Sequence, residues 1–98
     1  MEQDKPDEKK DKYKVVWKNK IEKQISKCPK NVQEKFWQLV NDLKRKGAIQ
    51  KDWGNFSELG KNFYHCHLSY SWVAVWYWEQ NTIVVEVTYV GSREDAPY

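Results

Sequence analysis

Apolar and polar positions alternate, then repeat on a helical period, then alternate again. Tyr13, Val15 and Trp17 alternate with Lys14, Val16 and Lys18, a period-2 pattern that predicts a short strand. Ile21 and Ile25 stand four apart among Lys, Glu and Gln, as on a short amphipathic helix. Cys28-Pro29 interrupts it, and Pro29 suits the first turn of a following helix. Val32, Phe36, Leu39, Val40 and Leu43 then mark one face of a helix running to about Lys46, with Gly47 as its stop. Ala48 to Gly60 has no sustained period and reads as loop. Phe63–Ser69, Trp72–Trp78 and Thr82–Val90 are rich in β-branched and aromatic residues, and short polar connections join them as an antiparallel meander. The predicted order is β-α-α-β-β-β. It is an α+β fold with two N-terminal helices packed on one face of a small, mostly antiparallel sheet.

Alternation also sorts the candidate chemistry. Phe63, His65, His67 and Ser69 share one face of the first meander strand, and Tyr64, Cys66, Leu68 and Tyr70 take the other. Imidazoles two residues apart stand about 6–7 Å from each other along a strand and titrate near neutrality, which suits proton transfer or phosphate binding. Rim residues of an ordinary sheet fit the same pattern. A metal site needs further ligands, and Cys66 points to the opposite face. Glu86 is the charged residue of the last strand, on a face with Val84, Thr88 and Val90; it reads as a carboxylate beside the histidines or as a solvent-facing position. Trp72, Ala74, Trp76 and Trp78 make an aromatic stripe that fits a core, a partner-covered face or base stacking.

Composition narrows the setting. The 98 residues make one small domain, and an aromatic fraction of 15% argues against general disorder. The longest apolar run, Trp72 to Trp78, is seven residues, too short to cross a bilayer. The N-terminus has no apolar stretch of the signal-peptide kind. Two cysteines make no disulfide framework. A cytoplasmic, reduced protein is expected.

The net charge of +3 is unevenly distributed. Residues 1–12 hold five acids and four bases and read as a disordered tail, leaving 13–98 as the single domain. Residues 13–51 carry ten Lys and Arg45 against three acids, a net of +8. Residues 52–98 carry Lys61 and Arg93 against six acids, a net of −4. The basic block attracts phosphates or is simply a solvated helix face. The ending, Gly91-Ser92-Arg93-Glu94-Asp95-Ala96-Pro97-Tyr98, pairs a guanidinium suited to phosphate with a terminal phenol; a frayed tail has the same look.

Four stretches carry a resemblance. They are Cys-Pro-Lys-Asn-Val-Gln-Glu-Lys-Phe (28–36), Leu-Gly-Lys-Asn-Phe-Tyr-His-Cys-His-Leu (59–68), Trp-Val-Ala-Val-Trp (72–76) and Tyr-Val-Gly-Ser-Arg-Glu-Asp-Ala-Pro-Tyr (89–98). Together they resemble the RelE/ParE superfamily of bacterial toxins from type II toxin–antitoxin pairs, over residues 13–98. The resemblance implies a RelE-like fold, a cognate antitoxin partner, and mRNA cleavage in the ribosome without metal or other cofactor. His65 and His67 match strand positions where ribonuclease members carry basic side chains, and Arg93 and Tyr98 match the C-terminal pair. These four are the expected catalytic residues; Lys44, Arg45, Lys46 and Lys61 are the expected RNA contacts. The middle strand departs from the pattern, with Val73 where ribonuclease members commonly place an arginine. Two other readings go with the superfamily: a ParE-like inhibitor of DNA gyrase without chemistry of its own, and a decayed relative that acts by binding its antitoxin.

Overall fold

The computed structural model describes residues 11–98. Most of the charged N-terminal tail lies outside the described residues. By Lys12 the chain is already engaged, since the backbone N–H groups of Lys12 and Tyr13 both donate to the Lys44 carbonyl at 2.9 Å.

The elements follow in the order β1 (Lys14–Val16), α1 (Asn19–Ser26), α2 (Lys30–Lys46), β2 (Ser57–Gly60), β3 (Phe63–Ser69), β4 (Trp72–Tyr77) and β5 (Val84–Ser92). The five strands form one sheet in the order β1-β5-β4-β3-β2. β1 runs parallel to β5, and the other pairings are antiparallel. Both helices, the β3–β4–β5 meander and the helical stop at Gly47 agree with the sequence pattern. β2 is the addition. Its Ser-Glu-Leu-Gly sequence is four residues long, mostly exposed and paired on one side only, so neither alternation nor hydrophobicity marks it.

Burial decides where the helices go. Neither has a side-chain N-cap hydrogen bond, an omission worth about 1 kcal/mol per helix. Val32, Phe36, Leu39, Val40 and Leu43 of α2 and Ile21 and Ile25 of α1 are all buried. At roughly 1.5–3 kcal/mol for each large apolar side chain, burial outweighs the missing caps severalfold. These side chains pack with Tyr64, Cys66 and Leu68 of β3, Ala74 and Trp76 of β4, and Val85, Val87 and Val90 of β5. The tryptophan stripe is therefore core and its margin: Trp76 is fully buried, with Trp72 and Trp78 packed at the edges. Trp76, at its centre, offers no face to a base. The Trp76 indole N–H donates to the Ala48 carbonyl at 3.0 Å, which fixes the loop after α2 onto the sheet.

β5 departs from simple alternation. The pairing shifts between Val75/Tyr89 and Trp76/Val87, leaving Thr88 as the extra residue of a bulge. Val90 thereby joins Val85 and Val87 in the core, instead of sharing a face with Glu86. β1 pairs only with Val84–Glu86, so among the described residues the rest of β5 has no strand neighbour on that side. α1 lies against it, and the Gln24 side-chain oxygen accepts the Val90 backbone N–H at 2.9 Å.

Gly47 ends α2 at φ +89, and a Cβ there would stand 2.7 Å from Tyr13 Cζ. Gly54 has open space and an ordinary φ. Chemical denaturation of Gly47→Ala should show a loss of about 1–3 kcal/mol, while Gly54→Ala stays within about 0.5 kcal/mol of wild type. Equal stability of the two variants would contradict this account of the helix stop.

Candidate functional site

With both helices on one face, the other face of β3 and β4 has, among the described residues, no helix over it, although His65, Val73 and Val75 on it are buried. In register, His65 stands opposite Val75 and His67 opposite Val73, while Ser57 of β2 stands opposite His65 on its other side. The C-terminal segment returns to this face. The Tyr98 ring lies 4.6 Å from the His65 ring, centroid to centroid, and the His67 ring lies 5.9 Å from it. The structure therefore brings His65, His67 and Tyr98 together. Tyr98 is half exposed, whereas His65 retains only 8% of its accessible surface.

His65 is held from behind. Its Nδ1 and the Ser57 hydroxyl are 2.9 Å apart. When Nδ1–H donates to Ser57 Oγ, the lone pair rests on Nε2 and that nitrogen can accept a proton. Burial pulls the imidazole below the ordinary histidine range; its contact with the Ser57 backbone opposes this, and His67 adds to it. His65 is thus neutral at physiological pH, the state a base requires. Tyr98 is pushed the other way, its phenol raised above the ordinary value by burial, against the pull of the Arg93 charge and with small contributions from Tyr89 and Cys66. It stays protonated and is a weak acid, better suited to positioning than to delivering a proton. Cys66, in the core behind this face, is pushed up to about 12 by burial, which leaves it an unreactive thiol.

A cleft of about 610 Å³ opens beside this group, lined by Leu59, Lys61, Phe63, Val75, Thr88 and Tyr98 among others, and by Lys20. Lys61 belongs to the β2–β3 turn. Lys20 comes from the first turn of α1, which lies along the part of β5 that no strand covers. Two cations thus flank a largely apolar floor.

The other expected residues lie elsewhere. The Arg93 guanidinium sits over the Tyr70 ring, 5.3 Å from its centroid. Its backbone N–H donates to the Ser71 carbonyl at 2.7 Å, so it lies at the β3–β4 hairpin. Lys44, Arg45 and Lys46 form the last turn of α2, in the helical layer on the opposite side of the sheet from His65 and Tyr98. Glu86 pairs in register with Tyr77, not opposite either histidine. Among the described residues, no group of three or more His, Cys, Asp or Glu is arranged to hold a metal ion, and no helix is long and apolar enough to cross a membrane. Lys20 and Ser57 are the site residues that sequence reasoning missed. Lys20 is one lysine among ten in its block, and Ser57 sits in the unpredicted strand.

No family model matches the chain, and no curated protein matches it. Solved structures do. A chain of the archaeal RelE–RelB complex from Pyrococcus horikoshii superposes with a TM-score of 0.68 at 15% identity, covering 87% of this chain and 99% of that one. The isolated RelE toxin of E. coli gives 0.67 at 20% identity, covering 87% and 88%. A chain of the YoeB–YefM complex from Staphylococcus aureus gives 0.62 at 13% identity, covering 81% and 94%. The fold is therefore that of the RelE/ParE-like toxins, and at these identities the likeness is one of fold.

An imidazole with a folded value below its unfolded value of about 6.5 binds its proton less readily in the native state. The unfolded chain then holds more protons, so stability is greatest above pH 6.5 and falls as pH drops through the folded value. Chemical denaturation across this range should show a steeper loss below pH 6.5 for wild type than for His65→Gln. Superimposable slopes would contradict the placement of His65.

Proposed function

We propose that this chain is the toxin of a type II toxin–antitoxin pair, a metal-independent endoribonuclease that cleaves mRNA on the ribosome in the cytoplasm. The observation that carries the reading is the contact of Tyr98 with a neutral, serine-anchored His65 beside a cleft flanked by Lys20 and Lys61. Cleavage of RNA needs a base for the 2′-hydroxyl proton, positive charge around the phosphorane and a proton for the leaving oxygen. His65 takes the 2′ proton at Nε2, and His67 supports it. The 2′ oxygen bonds to the adjacent phosphorus, the bond from phosphorus to the 5′ oxygen breaks, and that oxygen takes up a proton from water. The products are a 2′,3′-cyclic phosphate and a free 5′-hydroxyl.

Tyr98 positions the His65 ring and the nucleotide against it. Lys20 and Lys61 supply charge at the cleft, while Arg93 holds the RNA backbone at the β3–β4 hairpin. Lys44, Arg45 and Lys46 contact ribosomal RNA through the helical layer. Relatives of the same fold were solved as RelE–RelB and YoeB–YefM complexes, which supports a small antitoxin as the partner of this chain.

One observation favours a second reading, in which the protein binds its antitoxin without cleaving RNA. β4 carries no cation, and Val73, opposite His67, is fully buried. Healthy growth on strong expression without antitoxin would support that reading. Inhibition of gyrase supercoiling with no RNA product would instead point to a ParE-like activity.

Purified protein added to translating ribosomes should cut mRNA and leave 2′,3′-cyclic phosphate and 5′-hydroxyl ends. His65→Ala should lower the rate by about 10²–10⁴-fold, the range for loss of a general base, with His67→Ala also impaired. Cleavage at the wild-type rate in both variants would remove the histidines from the mechanism.

A further inference from the structure

A second cleft, on the helix-facing side of the sheet and away from the His65 group, has a different chemistry. It holds about 520 Å³ and is lined by Tyr13, Ile49, Glu58, Tyr64, Trp78, Gln80, Asn81 and Thr82. Three of its walls are aromatic rings set at steep angles. Tyr13 and Trp78 meet edge to face, with centroids 6.5 Å apart and planes at 77°; Tyr64 and Trp78 are 6.4 Å apart at 50°. The Trp78 indole is fixed in place, since its N–H donates to the Thr82 carbonyl at 2.9 Å. Among the described residues, Glu58 is the one charged group of the lining, and no lysine or arginine lines it. Its carboxylate is close enough to Tyr64 to add to the upward push that burial gives that phenol.

Aromatic faces attract a cation through their quadrupoles, and a carboxylate at the rim completes the charge match. Guanidinium fits this combination better than ammonium, because its plane stacks on rings while its fork of N–H donors binds a carboxylate in two places. The side-chain carbonyls of Gln80 and Asn81 can accept its remaining donors. Glu58 lies on β2, whose outer edge pairs with no other strand among the described residues. An extended polypeptide running along that edge brings its alternate side chains to the Glu58 side of the sheet.

We propose that the Tyr13–Tyr64–Trp78–Glu58 cleft is a recognition pocket for an arginine side chain of a protein partner that lies along the β2 edge. The pocket is separate from the nuclease reading and does not depend on it. The test is a titration of the ¹⁵N-labelled full chain with an end-capped glycine-arginine-glycine peptide, read at the Trp78 indole and at the backbone amides of Asn81 and Thr82. Saturable shifts confined to these groups are expected, with the citrulline peptide at least tenfold weaker. Glu58→Gln, an exposed and conservative change, should keep the wild-type spectrum elsewhere and weaken the arginine peptide by at least fivefold. Equal binding of arginine and citrulline peptides, undiminished binding by Glu58→Gln, or equal binding of the matching lysine peptide would overturn the assignment.

Discussion

Alternation of side chains along β3 and β4 is the constraint from which the rest follows. Tyr64, Cys66, Leu68, Ala74 and Trp76 all point to one face, and no arrangement leaves so much apolar surface in water. Two amphipathic helices cover it, and the Trp76 indole ties the loop after α2 to the same layer. Covering one face determines what the other must do. His65 and His67 are on it because Tyr64, Cys66 and Leu68 are not, so the geometry that builds the core also aligns the two imidazoles.

The bulge at Thr88 and the short β1 then shape the surroundings of that face. The bulge moves Val90 into the core, and the strand continues to Ser92 before the chain folds back. Because β1 stops at Val16, α1 can lie against β5, and Gln24 satisfies a backbone N–H that a strand neighbour would otherwise take. Lys20 reaches the cleft for that reason. The charge segregation seen along the chain becomes a spatial one: most of the lysines lie in the helical layer, and the catalytic candidates lie on the opposite side of the sheet with only a few cations around them.

How far the sequence discloses this differs from element to element. The α2 face was legible because five apolar side chains keep one helical period, and the meander because β-branched and aromatic residues fill its strands. β2 was not, since Ser-Glu-Leu-Gly owes its strand conformation to pairing with β3 and not to its own pattern. The same kind of non-local cause hid the bulge, which changes the face of Val90 without any local marker. In the site, alternation placed His65 and His67 on a common face, and the resemblance singled out Tyr98. The Ser57 bond depends on β2 and was invisible with it. Arg93 was legible as a cation, but its position over Tyr70 depends on the course of the turn after β5, which no periodicity reports.

The central claim is that the open face, with the C-terminal residues folded onto it, is where the protein acts on RNA. Mapping mRNA 5′ ends in cells induced for wild type or for the Arg93→Ala/Tyr98→Ala double variant tests it most directly. The account predicts new 5′-hydroxyl ends within translated regions and arrested growth for wild type, with both strongly reduced in the variant. Equal toxicity and the same ends in both would contradict it.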